Sequence, residues 1–333
     1  MRQPTHMSGS ASSSIGDQPL ASRRRWLQQA GGGSGLIAAA GLLADEQSLA
    51  TERPTAANPL SVAPTHFAAK AKRVIWLFME GAPSAVDMFD PKPELTRNHG
   101  KRTDIKVFFG NPGPLMKSPF RFQRYGECGQ PVSEHYSNVA QRVDDMAFIK
   151  SCYSESDNHV PAIYQINSGL PRAGFPTAGA WVTYALRSEN QNLQGYVVLG
   201  NTAGAKGGPH NWGSGFLPAA YQGTLFRSQG NPVLNLKRLP QVSRQNQRAQ
   251  LDLMGQLNRL HLQDNPGEVE FQARVQSFEL AWRMQSEALN TVDVGQETQA
   301  TRQLYGVDQK HSRSYGTKCL MARRLIERGV RFV

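Results

Sequence analysis

Val74-Ile75-Trp76-Leu77-Phe78-Met79 is a continuous apolar run, preceded by Lys72-Arg73 and closed by Glu80-Gly81-Ala82-Pro83-Ser84. A run of this length without a polar interruption, bounded by Gly and Pro, predicts a strand buried on both faces, as in parallel sheets. Met146-Ala147-Phe148-Ile149 and Gly195-Tyr196-Val197-Val198-Leu199 are shorter runs of the same kind. Between them, residues 161–168 and 178–187 read as helices. Further on the period becomes helical. Leu251, Met254, Leu257 and His261 recur every three to four positions, as do Phe271, Val275, Phe278 and Trp282, which places each set on one helix face. A third helix is predicted over 317–328, with Gly329 suited to a left-handed C-cap. Val330-Arg331-Phe332-Val333 then reads as another strand, or else as a tail after the last helix. The pattern describes one α/β domain over residues 72–333.

Before Lys72 the pattern changes. Ser22-Arg23-Arg24-Arg25-Trp26-Leu27 precedes a weakly apolar run, Ala30 to Ala44, built only from Gly, Ala, Ser, Leu and Ile. Paired arginines ahead of a small-residue apolar segment are the signature of a twin-arginine export signal, here residues 1–50 with Arg23 and Arg24 as its motif. An ordinary N-terminal helix is the competing reading, and it is disfavoured by Gly31, Gly32, Gly33 and Gly35, at roughly 1 kcal/mol each. The run of fifteen residues is short of the roughly 20 that span a bilayer. No permanent membrane span is therefore predicted, and the chain is expected in the periplasm or outside the cell, with the export machinery as its first partner. Residues 51–71, rich in Ala, Thr, Pro and Ser, read as a flexible linker.

Charge narrows the remaining partners. The formal net charge is +11, and residues 1–50 carry four arginines against three carboxylates, which leaves about +10 beyond them. That balance favours anionic partners such as sulfated or phosphorylated glycans. Nucleic acid is set aside, because no basic stripe with interleaved aromatics is present. Cys128, Cys152 and Cys319 show no metal-binding spacing. A Cys128–Cys152 disulfide is open to an exported chain.

Several segments carry a family likeness. Lys72 to Glu94 (KRVIWLFMEGAPSAVDMFDPKPE), Asp157 to Leu199, Asn211 to Phe226 (NWGSGFLPAAYQGTLF), Ser277 to Gln285 (SFELAWRMQ) and Cys319 to Val333 (CLMARRLIERGVRFV) resemble the secreted bacterial proteins grouped as domain of unknown function 1501. The resemblance implies the alkaline phosphatase and sulfatase superfamily: a doubly wound, mostly parallel sheet with flanking helices and a metal-assisted hydrolytic ancestry. Members of that family continue past the Arg-Phe-Val segment into Trp-Asp-Thr-His-like and later His-bearing stretches, their best candidates for metal ligands. The resemblance thus implies a sheet incomplete at its C-terminal end, an apolar edge exposed at Val330–Val333, and an incomplete site. Ala82, Thr177 and Ala180 depart from the family pattern.

Divalent ions in ester hydrolases take oxygen and nitrogen ligands from several loops. Glu80, Asp87 and Asp90 follow the first strand, and Glu80 stands where the superfamily commonly places an acidic ligand. Each has a second reading: Glu80 as a solvated or lysine-paired carboxylate, Asp87 and Asp90 as turn residues. His159, in Asp157-Asn158-His159-Val160-Pro161, is a candidate ligand or a surface histidine. Thr177 is a candidate nucleophile at a helix start, where backbone amides favour an anionic ester, or simply an N-cap. Zinc or calcium is the expected ion if such a site is complete. His210-Asn211-Trp212-Gly213 is expected to line a cleft. Three functions stay open: a relative of sulfate and phosphate ester hydrolases, a non-catalytic envelope binding or structural protein, and an inactive fragment of a longer hydrolase-like protein.

Overall fold

The structure, a computed structural model, describes residues 62, 67–81, 83–105, 110, 112–200, 205–265 and 269–333, without the side chains of 269–274. The predicted signal with Arg23 and Arg24, and most of the predicted linker, lie outside the described residues. What is described is a mixed helix-and-sheet domain with small sheets.

After a short helix α1 (Pro93–Arg97) comes an antiparallel hairpin, β1 (Phe122–Tyr125) and β2 (Gln130–Ser133), with Phe122 opposite Ser133. Gly126 and Gly129 take φ of 66° and 64° in its turn, a region that L side chains avoid. The Asp144 carboxylate accepts from the N–H groups of Glu127 and Cys128, 3.0 Å each. Those bonds, Cys128 first, hold the Asp144 carboxyl below its usual range. Val132, Val143 and Ala140, the last from α2 (Ser137–Ala140), make a small core beneath the hairpin. The strand expected at Met146–Ile149 is absent. Only Phe148 packs there, against Phe89 at 5.3 Å, while Ile149 is 76% exposed.

The helices follow local signals more closely. In α3 (His159–Ser168) the Asn158 side chain accepts from Val160 N–H, and Gly169 closes the helix at φ 85°. Then come α4 (Ala178–Leu186), β3 (Val197–Gly200) and β4 (Thr224–Arg227), the two strands pairing in parallel with Val197 opposite Thr224. Helices α5 (Arg244–Asp264) and α6 (Val269–Val292) pack together, and α7 (Gln299–Leu304) and α8 (Arg313–Glu327) follow. At the end of α8, Gly329 N–H donates to Ile326 O and Val330 N–H to Leu325 O. With Gly329 at φ 88°, this is the Schellman closure the glycine predicted.

Closure of α8 aims Val330–Val333 into the sheet. Phe332 forms parallel bridges to Val74 on one side and to Tyr196 on the other. Four parallel segments therefore neighbour one another in the order 74–76, 331–333, β3, β4. Two sequence expectations invert here. Val330–Val333, expected as an exposed edge, is at most 8% exposed, while Leu77 in the run expected to be buried on both faces is 59% exposed. The first run lies at the outside of the row, where only Val74 and Trp76 find backbone partners in 331–333. The doubly wound form of the sheet is not what these short segments display.

The principal core joins Val197 and Phe226 to Leu280, Met284 and Ala288 of α6 and to Met321 and Leu325 of α8. Helix α6 thus buries 280, 284 and 288, not the Val275, Phe278, Trp282 face; Phe278 is 45% exposed, and the Phe271 side chain lies outside the description. On α5 the half-buried positions include Leu251, Gly255, Asn258 and Leu262, with Leu257 outward. A helix gripped on two sides has two apolar stripes, and periodicity alone does not rank them.

Candidate functional site

A cleft of about 350 Å³ opens beside the first apolar run. That is within the roughly 300–1,000 Å³ of ligand pockets. Its walls are aromatic: Trp76, Phe78, Tyr196, Trp212 and Phe332 all border it. Tyr196 and Phe332 meet edge to face at 5.3 Å. Residues at the carboxyl ends of the parallel segments, Glu80, Gly200 and Val333, are among the lining. In parallel α/β sheets that is where ligands gather.

The charged and amide side chains that border this space come from four parts of the chain: Glu80, Asn167 of α3, Asn211 and Lys318 of α8. Local bonds fix the loop that carries Asn211. Asn211 Nδ2 donates to Lys206 O at 2.6 Å and Gly208 O at 3.2 Å. Lys206 N–H donates to Glu80 Oε1 at 3.1 Å, and Tyr164 Oη donates to Gly207 O at 2.9 Å. Gly207, at φ 81°, lies so close that a Cβ would come within 2.7 Å of the Tyr164 ring. Asn167 Nδ2 donates to Asn211 Oδ1 at 3.4 Å. Burial pushes the Cys319 thiol in the same wall upward, against smaller pulls from Tyr315 and Lys318.

Of the sequence candidates, Glu80 borders the cleft, with one carboxylate oxygen engaged by the Lys206 N–H. Asp87 sits in a single turn, Ala85–Asp87, and Asp90 pairs with Lys92 at 2.6 Å. His159 is exposed as the first residue of α3. Thr177 precedes α4 at the N-cap position but does not cap it through its side chain. It is 1% exposed, and its hydroxyl donates to Gly213 O at 3.2 Å. Burial pushes the nearby Tyr196 phenol up to about 12, against a smaller pull from Thr177. Among the described residues no three His, Cys, Asp or Glu side chains gather as a metal site. Glu80, Asp87, Asp90 and His159 are thus not gathered into one such group. All three cysteines are free, Cys128 and Cys152 exposed, so the open Cys128–Cys152 pairing is not made.

Sequence reasoning expected Asn211 and Trp212 at a cleft, and both line it. It missed Asn167 and Lys318. They lie on helices read only for their apolar period, and polar positions on such helices carry no mark of what they face.

Fold and cleft together define a mixed helix-and-sheet domain with a ligand-sized, aromatic-walled pocket at the ends of parallel strands. Residues 71–333 match the family model described as a protein of unknown function (DUF1501), and the chain belongs to that family. Nothing among curated proteins and nothing among solved structures matches it. No helix of the described residues is long and apolar enough to cross a membrane.

Proposed function

We propose that this chain is exported by the twin-arginine route, with residues 1–50 as its signal and 51–71 as a linker. In the periplasm or outside the cell, its cleft takes an anionic ester with an aromatic or sugar body, on a scaffold related to sulfate and phosphate ester hydrolases. The observation that carries the reading is the cleft lining: the Lys318 ammonium and the Asn167 amide, the latter held by Asn211 Oδ1, beside aromatic walls. An ammonium pairs with a sulfate or phosphate head, an amide orients it, and Trp76 and Trp212 stack on the body. The net charge of about +10 beyond residues 1–50 draws such anions.

The reading is of binding. Hydrolysis needs an activated nucleophile, and the Thr177 hydroxyl is buried against the Gly213 carbonyl. Calorimetric titration of the purified chain with phenyl sulfate and phenyl phosphate tests it. Saturable binding that weakens about tenfold in Lys318→Ala, the loss of one charge-assisted contact, is the expected result. Absence of binding, or equal affinity in Lys318→Ala, refutes the cleft as the site.

A further inference from the structure

We infer that a second surface, a row of aromatic rings along α4 and the 213–221 loop, binds an anionic polysaccharide. Phe175, Phe216, Trp181, Tyr184 and Tyr221 follow one another with centroids 6.4, 5.7, 6.2 and 5.2 Å apart. Every step is edge to face, at 89°, 72°, 77° and 89°. Phe216 is 66% exposed, Tyr184 45% and Trp181 43%. A contiguous row of open rings marks an interaction surface more often than scattered exposed residues do. None of these five rings lines the cleft, so the inference goes beyond the function proposed above.

The row is built rather than incidental. Trp181 and Tyr184 are three residues apart on the open face of α4, whose other face buries Gly179, Ala180 and Thr183. Phe216 is carried by a loop fastened to the start of α4: Thr177 N–H and Thr177 Oγ1 both donate to Gly213 O at 3.2 Å. Gly215, at φ 55°, lies against the Phe175–Pro176 backbone so closely that a Cβ would stand 2.4 Å from Pro176 N. Tyr221, 5% exposed, anchors the inner end of the row. Rings held this way lose little freedom when a ligand lands on them.

Charge selects the occupant. The Arg172 guanidinium lies 4.9 Å over the Phe175 ring at the outer end of the row. Aromatic faces carry a negative quadrupole that attracts the polarised C–H groups of a sugar ring. Guanidinium groups pair with sulfate, phosphate or carboxylate in two-point geometry. A row of rings ending in an arginine fits a linear chain of sugars bearing anionic groups.

The test uses the purified full chain, with dextran sulfate as probe and neutral dextran as control, by calorimetry at about 0.15 M salt, where distant surface charges are screened. Trp181→Ala and Phe216→Ala leave the charge unchanged, yet each is expected to weaken dextran sulfate binding at least about fivefold, as for an interface aromatic anchor. Lys237→Gln, which removes an exposed charge elsewhere, is expected to change it less than about twofold. Wild-type affinity in both aromatic variants overturns the inference. So does an equal loss in Lys237→Gln, which would mark plain charge attraction. A dimer that Trp181→Ala dissociates while dextran sulfate binding persists would assign the row to self-association and likewise overturn it. Phenyl sulfate binding should be unaffected in the aromatic variants, so the two sites can fail independently.

Discussion

Gly179→Ala and Gly255→Ala make the same chemical change in two helices, and the structure predicts opposite signs. Alanine is better than glycine inside a helix by about 1 kcal/mol, so propensity alone would stabilise both variants. At Gly255 in α5, a Cβ meets nothing nearer than Arg259 Nη1 at 3.8 Å. At Gly179 in α4 it would lie 2.5 Å from Tyr196 Cζ, 2.6 Å from Cε2 and 2.7 Å from Cε1, against an ordinary contact that begins at 3.4 Å. The overlap of 0.7–0.9 Å, the difference of those figures, has no easy outlet. Tyr196 is 6% exposed and packs on Phe332 at 5.3 Å. On another side a Cβ at Gly223 would already be 2.9 Å from the Tyr196 ring. Overpacking of this kind costs about 1–3 kcal/mol. With the upper end of that range set against the propensity gain, Gly179→Ala should be destabilised by about 2 kcal/mol, or roughly 4–8 °C for a domain of this size. Gly255→Ala should gain up to about 1 kcal/mol. Urea unfolding followed by far-UV circular dichroism, with an unchanged slope, measures both. If Gly179→Ala is as stable as the parent or more so, the α4–sheet contact described here is wrong.

Two further outcomes concern acid stability and export. The Arg324 guanidinium, with Arg323 behind it, holds the Glu297 carboxyl below its usual 4.5. A depressed carboxyl stabilises the fold above its unfolded value and loses that contribution as pH falls through the folded one. Glu297→Gln should therefore unfold more easily at neutral pH and lose less stability than the parent below about pH 4.5; parallel pH profiles would contradict this. Arg324 also donates to Thr291 O at 2.6 Å and is 5% exposed, so the effect is on a buried network and not on a screened surface pair. For export, changing Arg23 and Arg24 together to lysine in a reporter fusion should leave the precursor inside the cell; undiminished export would remove the twin-arginine reading.

Local grammar made much of this protein legible. Asn158 and Gly169 bound α3, and Gly329 closes α8, because caps and left-handed glycines act on the backbone beside them. The strand at Val197–Gly200 was visible as an uninterrupted apolar run, and the family likeness in the motifs is matched over residues 71–333. Sequence could not decide which runs would be covered. Val74–Met79 and Val330–Val333 are both apolar and short, yet one is the exposed flank and the other the buried middle. That depends on α8 delivering residues 331–333 between Val74 and Tyr196, a pairing across more than 100 positions of chain. The same distance hid the cleft. Glu80, Asn167, Asn211 and Lys318 have no common spacing, and only long-range packing of separate elements puts them around one space. Charge, helix caps and helix ends are properties of neighbouring residues, so the sequence determined them. Burial, helix face and the gathering of polar groups are set by contacts between distant segments, and these the tertiary structure alone decided.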